Sequence, residues 1–170
     1  AAFSPPDVIY SYPKSLLPTE LSTETMQFFL NSRSVLQSLW NSIVVGIGTL
    51  ILALLIGAPA GYALARFLFP GRDTFKMTIL TTRAFPIVIL SIPLAVTFIN
   101  WGLYDTLFGV ILAHTALALP ITILVTSSIF AGVPRDLEEA AQTLGCSPLQ
   151  AFLRVSLPLA LPGLAAAALF

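Results

Sequence analysis

Long uncharged runs constrain this chain more than any other feature. Runs of 32, 21 and 29 residues without Asp, Glu, Lys or Arg follow Arg33, Arg83 and Asp105, and the last 16 residues are also uncharged. A helix that spans a membrane needs about 20 mainly apolar residues. Three complete spans and part of a fourth therefore fit the chain, at roughly 42–65, 84–101, 107–131 and 159–170.

The composition agrees with a membrane protein and argues against a soluble enzyme. Of the 170 residues, 56% are hydrophobic and only 9% are charged, whereas about 25% are charged in an average soluble domain. Eight basic residues balance eight acidic ones, so no general case for nucleic-acid binding arises. The apolar runs are continuous and do not alternate with a period of two, which disfavours a β-barrel. The sequence predicts an all-α, polytopic helical membrane protein.

The basic residues predict how the chain is oriented in the bilayer. Four of them lie in the connection 66–83 and two in 132–158, whereas 102–106 has none. Because Lys and Arg concentrate on the cytoplasmic side, the first and third connections are expected inside and 102–106 outside. The polar stretch 1–34, with four prolines and no helical period, is then an external, irregular segment. Residues 35–170 are expected to form the transmembrane domain.

The connection 132–158 has local signals for two short helices. Pro134 suits the first position of a helix, and Gly145 stands where a helix ends in a left-handed residue. Ser147 and Pro148 are typical of the cap and first position of a second helix. The first helix has an apolar stripe, which consists of Leu137, Ala141 and Leu144. The second has an apolar face, which consists of Leu149, Phe152 and Leu153.

Such short helices are marginal in water unless another surface covers their apolar side. The residues alone leave two interpretations of the stripe open. It packs on the protein's own transmembrane bundle, or it docks into another protein.

Residues able to perform chemistry are few. The chain has no G-x-x-x-x-G-K-[ST] phosphate loop for ATP, and single His and Cys residues make a catalytic or metal site unexpected. Ionisable groups inside a membrane are functional candidates by default, so we name His114 as a candidate for a substrate path. The polar but neutral Asn100, in the preceding predicted span, is a second candidate. A neutral His114 bonded to a neighbouring helix explains the sequence equally well.

One pattern in the cytoplasmic loop resembles a known family. Glu139-Ala140-Ala141, three residues, Gly145, nine residues and then Val155-Ser156-Leu157-Pro158 match the EAA loop of ABC-importer permeases. The resemblance implies a type I importer bundle whose loop docks into an ATP-hydrolysing subunit. The residues on which this coupling role would fall are Glu138, Glu139, Ala140, Ala141, Leu144, Gly145 and Pro158. Family members have about six spans, so a first and a last span are expected outside this chain.

The same resemblance implies a set of partners in the inner membrane of a prokaryote. They are a second permease subunit, two ATP-binding subunits and an extracytoplasmic solute-binding protein. No cofactor is expected in this chain, and ATP with magnesium is expected in the ATP-binding subunits. A stand-alone channel or membrane scaffold is the alternative from another class, and the EAA pattern argues against it.

Further segments resemble the maltose-type, sugar-importing branch of these permeases. They are Trp40-Asn41-Ser42, the run from Gly61 to Phe67, Phe69-Pro70-Gly71, and the outer loop from Gly102 to Thr106. Two features depart from that branch, because Leu144 stands where it usually has Asp and Ala113-His114 resembles polyamine-type permeases. The predicted substrate is a carbohydrate, with a polyamine or another small solute as the alternative.

Overall fold

The computed structural model describes Tyr12 and residues 23–168, and all secondary structure within them is helical. The chain divides into two compact units, 1–44 and 45–170. The helices are α1 (Glu24–Asn31), α2 (Arg33–Arg66), α3 (Arg72–Thr82), α4 (Ile87–Asn100), α5 (Leu107–Ala131), α6 (Arg135–Thr143), α7 (Pro148–Ala151), a π-helical turn (Phe152–Ser156) and α8 (Leu157–Ala167).

The prediction that all of 1–34 is irregular is wrong for the helical residues of the first unit. Residues Glu24–Asn31 are helical, and α2 already begins at Arg33. The four prolines behind that prediction all precede residue 19 and lie outside the described residues. Ser32 separates the two helices with an extended backbone, and its hydroxyl donates a hydrogen bond to the Phe28 carbonyl over 2.8 Å.

Two of the predicted spans correspond to single long helices. The 34-residue α2 covers the expected 42–65 and extends beyond both ends, and α5 has the expected bounds of 107–131. The start of α5 is fixed by Thr106, whose hydroxyl accepts a hydrogen bond from the Gly109 N–H over 3.0 Å. Both helices are long and apolar enough to cross a membrane.

The second predicted span, 84–101, holds one helix, the 14-residue α4, and α3 precedes it at an angle of 85°. Only α3 and α4 together are long and apolar enough to count as a possible span. Pro86 explains the break, because a proline disfavours helical backbone in the residue before it. The predicted connection 66–83 is partly helical, since α3 occupies most of it and packs against α5.

The fourth span begins earlier than predicted. An apolar helical segment runs continuously from Pro148 to Ala167 instead of starting near residue 159. Pro158 has no N–H to offer the carbonyl one turn back. Just before it the helix widens into a π turn, in which the Leu157 N–H donates to the Phe152 carbonyl. The helix thereby continues past the proline.

Small residues let α2 and α5 approach closely. A Cβ added to Gly61 would lie 2.7 Å from the Ser127 nitrogen and 2.9 Å from the Ile123 oxygen. Four residues earlier, the Gly57 carbonyl accepts a hydrogen bond from the Thr126 hydroxyl over 2.9 Å. Small residues at such spacing are typical of packed membrane helices. This crossing brings the C-terminal turn of α2 beside the end of α5.

Candidate functional site

Three aromatic side chains join α2, α5 and the π turn. The ring of Tyr62 lies 4.5 Å from that of Phe152 and 5.5 Å from that of Phe130, measured between centroids. Phe130 is fully buried, and its ring lies 5.8 Å from that of Phe152. Aromatic pairs at these distances add stability beyond the area they bury. The cluster fixes the position of the Tyr62 hydroxyl.

That hydroxyl takes part in a buried polar group that ties α6 to α2. The Tyr62 hydroxyl donates to Oε2 of Glu138 over 2.8 Å, and Nε and Nη2 of Arg66 lie 2.6 Å from Oε1. The Arg66 and Glu138 side chains are each only 7% exposed. We call these three residues the latch. Both oxygens of the carboxylate are occupied, so its orientation is defined.

Backbone carbonyls complete the connection between the same two segments. Nη2 of Arg66 donates to the Val133 carbonyl over 2.9 Å. In return, Nη2 of Arg135 donates to the carbonyls of Ala65 and Arg66 over 3.3 Å each. The last carbonyls of a helix have no partner within it, and a cation there also interacts favourably with the helix dipole. Each arginine therefore stabilises the other's segment.

The surroundings of Glu138 keep its carboxylate charged. Burial by itself raises the pKa of Glu138. The Ser156 hydroxyl, Arg66 and Tyr62 lower it, together with the positive charge of Arg66, and the net pKa lies below the ordinary value. Ser156 is fully buried, and its hydroxyl lowers the pKa of Glu138 without forming a hydrogen bond of full geometry. The ion pair of the latch is thus formed at neutral pH.

The other side of α6 is open. Leu144 is 87% exposed and Leu137 is 45% exposed, while Ala141 between them is half-buried. In the following helix Leu149 is 66% exposed. Glu139 and Ala140 are exposed as well. The apolar stripe predicted from the sequence is therefore largely uncovered by the described helices.

The predicted turn at Gly145 is confirmed in its backbone geometry. Gly145 has a φ of +94°, and its N–H donates to the Gln142 carbonyl over 2.9 Å. The Cys146 N–H donates to the Ala141 carbonyl over 3.0 Å, which completes a Schellman motif. Ser147 then caps α7 in a reciprocal capping box with Gln150. The expectation for Pro134 is wrong by one position, because it lies just before α6 with an extended ψ of 130°.

Comparison with known proteins identifies the family. Residues 53–170 match the family described as "binding-protein-dependent transport system inner membrane component". The chain belongs to this family. The permease is accordingly a multi-pass protein of the cell membrane, as its apolar helices require.

Several relatives of the permease have named substrates. It is 42% identical to the diacetylchitobiose uptake permease NgcG of Streptomyces coelicolor, over 76% of this chain and 43% of the relative. It is 38% identical to the trehalose transport permease SugB of Mycobacterium tuberculosis, over 91% of this chain and 56% of the relative. It is 36% identical to the molybdate/tungstate permease WtpB of Thermococcus kodakarensis, over 82% of this chain and 56% of the relative.

A solved structure supports the fold. A bacterial ABC transporter involved in the import of the acidic polysaccharide alginate matches with a TM-score of 0.81 at 25% identity. The match covers 99% of this chain and 59% of that chain. The permease chain spans about half the length of the curated relatives it matches.

The remaining candidate residues lie apart from the latch in the sequence. His114 is exposed on α5 of the permease, and Asn100 is exposed as the last residue of α4. Pro158 is exposed near the start of α8. Their roles in a substrate path or in coupling stay predictions.

The sequence assigned Glu138 to the same role as Glu139, whereas the structure separates the two. Glu138 is buried in the latch, and Glu139 is exposed. Adjacent residues of a helix do not share a face, which is a signal that only one of them could face a partner. Tyr62 and Arg66 were not among the candidate residues, although Arg66 ends the longest uncharged run. Their partner lies more than 70 positions away in the sequence.

Proposed function

We propose that this chain is part of the permease subunit of an ATP-driven importer, and that α6 and the Gly145 turn form its docking surface for an ATP-hydrolysing subunit. The single observation that carries the proposal is the uncovered apolar end of α6. Leu144 is 87% exposed on a turn that three hydrogen-bonded features hold in place, namely the Schellman motif, the capping box and the latch. A rigid, exposed apolar anchor is typical of a residue that fills a partner's pocket.

The family supports the wider assembly. Its description as binding-protein-dependent favours delivery of the substrate by an extracytoplasmic solute-binding protein. We propose a second permease subunit in the membrane and two ATP-binding subunits on the cytoplasmic side, which would hold ATP and magnesium. Alternating access would follow, with movements of α6 opening the substrate path to one side at a time.

A charge placed at Leu144 tests the docking surface. Leu144→Lys should reduce the ATPase subunit that co-purifies with the permease by about tenfold or more, because loss of an interface anchor typically costs about 2 kcal/mol or above. Gln142→Lys is the matched control, since it places the same charge at the same end of α6 but off the stripe. Equal retention of the ATPase subunit in both variants would contradict the proposal.

For the substrate we propose a neutral carbohydrate. Two relatives, NgcG and SugB, are named for diacetylchitobiose and trehalose, and the predicted spans hold no Asp, Glu, Lys or Arg with which to pair a charged solute. A small oxyanion is the second candidate, because WtpB is named for molybdate and tungstate at 36% identity. A polyamine remains the alternative that follows from Ala113-His114.

Uptake by cells that lack the permease gene separates these substrates. Uptake of one oligosaccharide should fall to background in the deletion strain and return with the gene, while uptake of molybdate and of polyamines stays at the parental level. Loss of molybdate or polyamine uptake with every tested sugar unaffected would reject the carbohydrate.

A further inference from the structure

The only polar side-chain contacts that the described residues show between α6 and α2 are those of the latch and its arginine neighbours. Short non-helical segments flank α6, at Gly132–Pro134 on one side and at Leu144–Ser147 on the other. Arg66 is the last residue of α2, and the chain beyond it is non-helical until Arg72. Any displacement of α6 would therefore act on the end of α2 through the contacts of Glu138.

We propose that the latch transmits movement of α6 to the span α2, so that Glu138, Arg66 and Tyr62 are positioning residues for coupling. This inference rests on the proposed function, since it takes α6 as the element that the ATPase subunit moves. Glu138 takes part in coupling through its buried contacts within the chain. The exposed stripe on the other side of α6 remains the docking surface.

The geometry suits the transmission of force. Hydrogen bonds are directional and weaken steeply as they bend, so a carboxylate held at both oxygens resists rotation as well as separation. Separation of Glu138 from Arg66 would leave a buried charge without its partner, which is strongly unfavourable. An apolar contact of the same size would allow α6 to slide along α2.

Movement at the end of α2 would then reach the rest of the bundle. Tyr62 is adjacent to Gly61, at which α2 lies against the backbone of α5. The ring of Tyr62 also contacts Phe130 at the end of α5 and Phe152 in the π turn. Since packed helices respond as rigid elements, a shift of the latch would tilt α2 together with α5.

The test measures coupling separately from assembly. The complete importer, with its ATPase subunits and binding protein, is reconstituted into vesicles, and substrate transported per ATP hydrolysed is measured for Glu138→Gln. We expect this variant to retain its ATPase subunits and its ATP hydrolysis but to transport about fivefold less substrate per ATP, since coupling between sites commonly has at least that size. Asp136→Asn removes the same charge from an exposed position of α6 and should match the parent.

A second, milder variant keeps the test decisive if Glu138→Gln fails to fold. Tyr62→Phe keeps the ring in the aromatic cluster and leaves Glu138 paired with Arg66, so it removes one hydrogen bond only. It should give a smaller fall in substrate transported per ATP, in the same direction. If the three residues have a purely structural role, both variants should lower the yield of complex. The substrate transported per ATP should then stay at the parental value in Tyr62→Phe and in any Glu138→Gln complex that assembles. That result would overturn the inference. A parent chain that binds no ATPase subunit would instead reject the proposed function.

Discussion

Alanine at Gly61 is expected to disrupt the packing of α2 against α5 and to destabilise the permease. Its Cβ would collide with Oγ1 of Thr126 and lie 2.7 Å from the Ser127 nitrogen and 2.9 Å from the Ile123 oxygen. A side chain can rotate away from such a contact, but the two backbone atoms cannot. Overpacking of this kind costs about 1–3 kcal/mol or more. The melting temperature of the purified complex in detergent should fall by about 5–10 °C.

Gly46 provides the matched control on the same helix. No atom lies within 4 Å of a Cβ added to Gly46, and alanine favours helix over glycine by about 1 kcal/mol. Gly46→Ala should therefore melt at the parental temperature or slightly above it. If both alanine variants melt together, the close crossing of α2 and α5 does not limit the stability of the permease.

The elements that the sequence predicted best are those with local signals at both ends. The bounds of α5 were expected from the length of the uncharged run after Asp105, and the structure adds Thr106 as the cap at its start. The turn after α6 follows from Gly145, Ser147 and Pro148, whose preferred backbone conformations coincide there. Such signals depend on a few neighbouring residues, so tertiary contacts are not needed to interpret them.

The elements predicted poorly depend on how the chain responds to a proline. Pro86 separates α3 from α4, whereas Pro59, Pro93 and Pro120 lie inside continuous helices. A freed carbonyl in a membrane helix is tolerated where neighbouring groups satisfy it. That condition is a property of the packed bundle, and the sequence alone does not specify it. The π turn that carries the helix past Pro158 is a further case.

The latch could not be predicted from the sequence for the same reason. Tyr62 and Arg66 are one helical turn apart, and this spacing places them on one face of α2. Which acidic residue meets that face depends on the crossing of α2 with α5 and on the direction in which α6 leaves α5. The sequence offers Glu138 as a candidate for coupling, but it does not indicate that its carboxylate points inward.

Valine at Gly145 is the second change with a large expected effect. No atom lies within 4 Å of a Cβ added there, so the effect arises from the backbone alone. A left-handed backbone costs an L residue roughly 1–2 kcal/mol, and a β-branched side chain is especially unfavourable in it. The valine variant should release the Gly145 and Cys146 hydrogen bonds and displace Leu144. It should reach the membrane but lose most substrate-stimulated ATP hydrolysis or shed its ATPase subunit.

Asparagine is the control that separates backbone conformation from the mere addition of a side chain. Asn adopts the left-handed region far more readily than β-branched residues do, and no atom lies within 4 Å of a Cβ added to Gly145. Retention of the ATPase subunit and uptake should therefore be highest in Gly145→Asn, lower in Gly145→Ala and lowest in Gly145→Val. Parental uptake and ATPase retention in Gly145→Val would mean that the left-handed turn does not position Leu144. Equal losses in the asparagine and valine variants would instead assign the effect to contact between the partner and the new side chain.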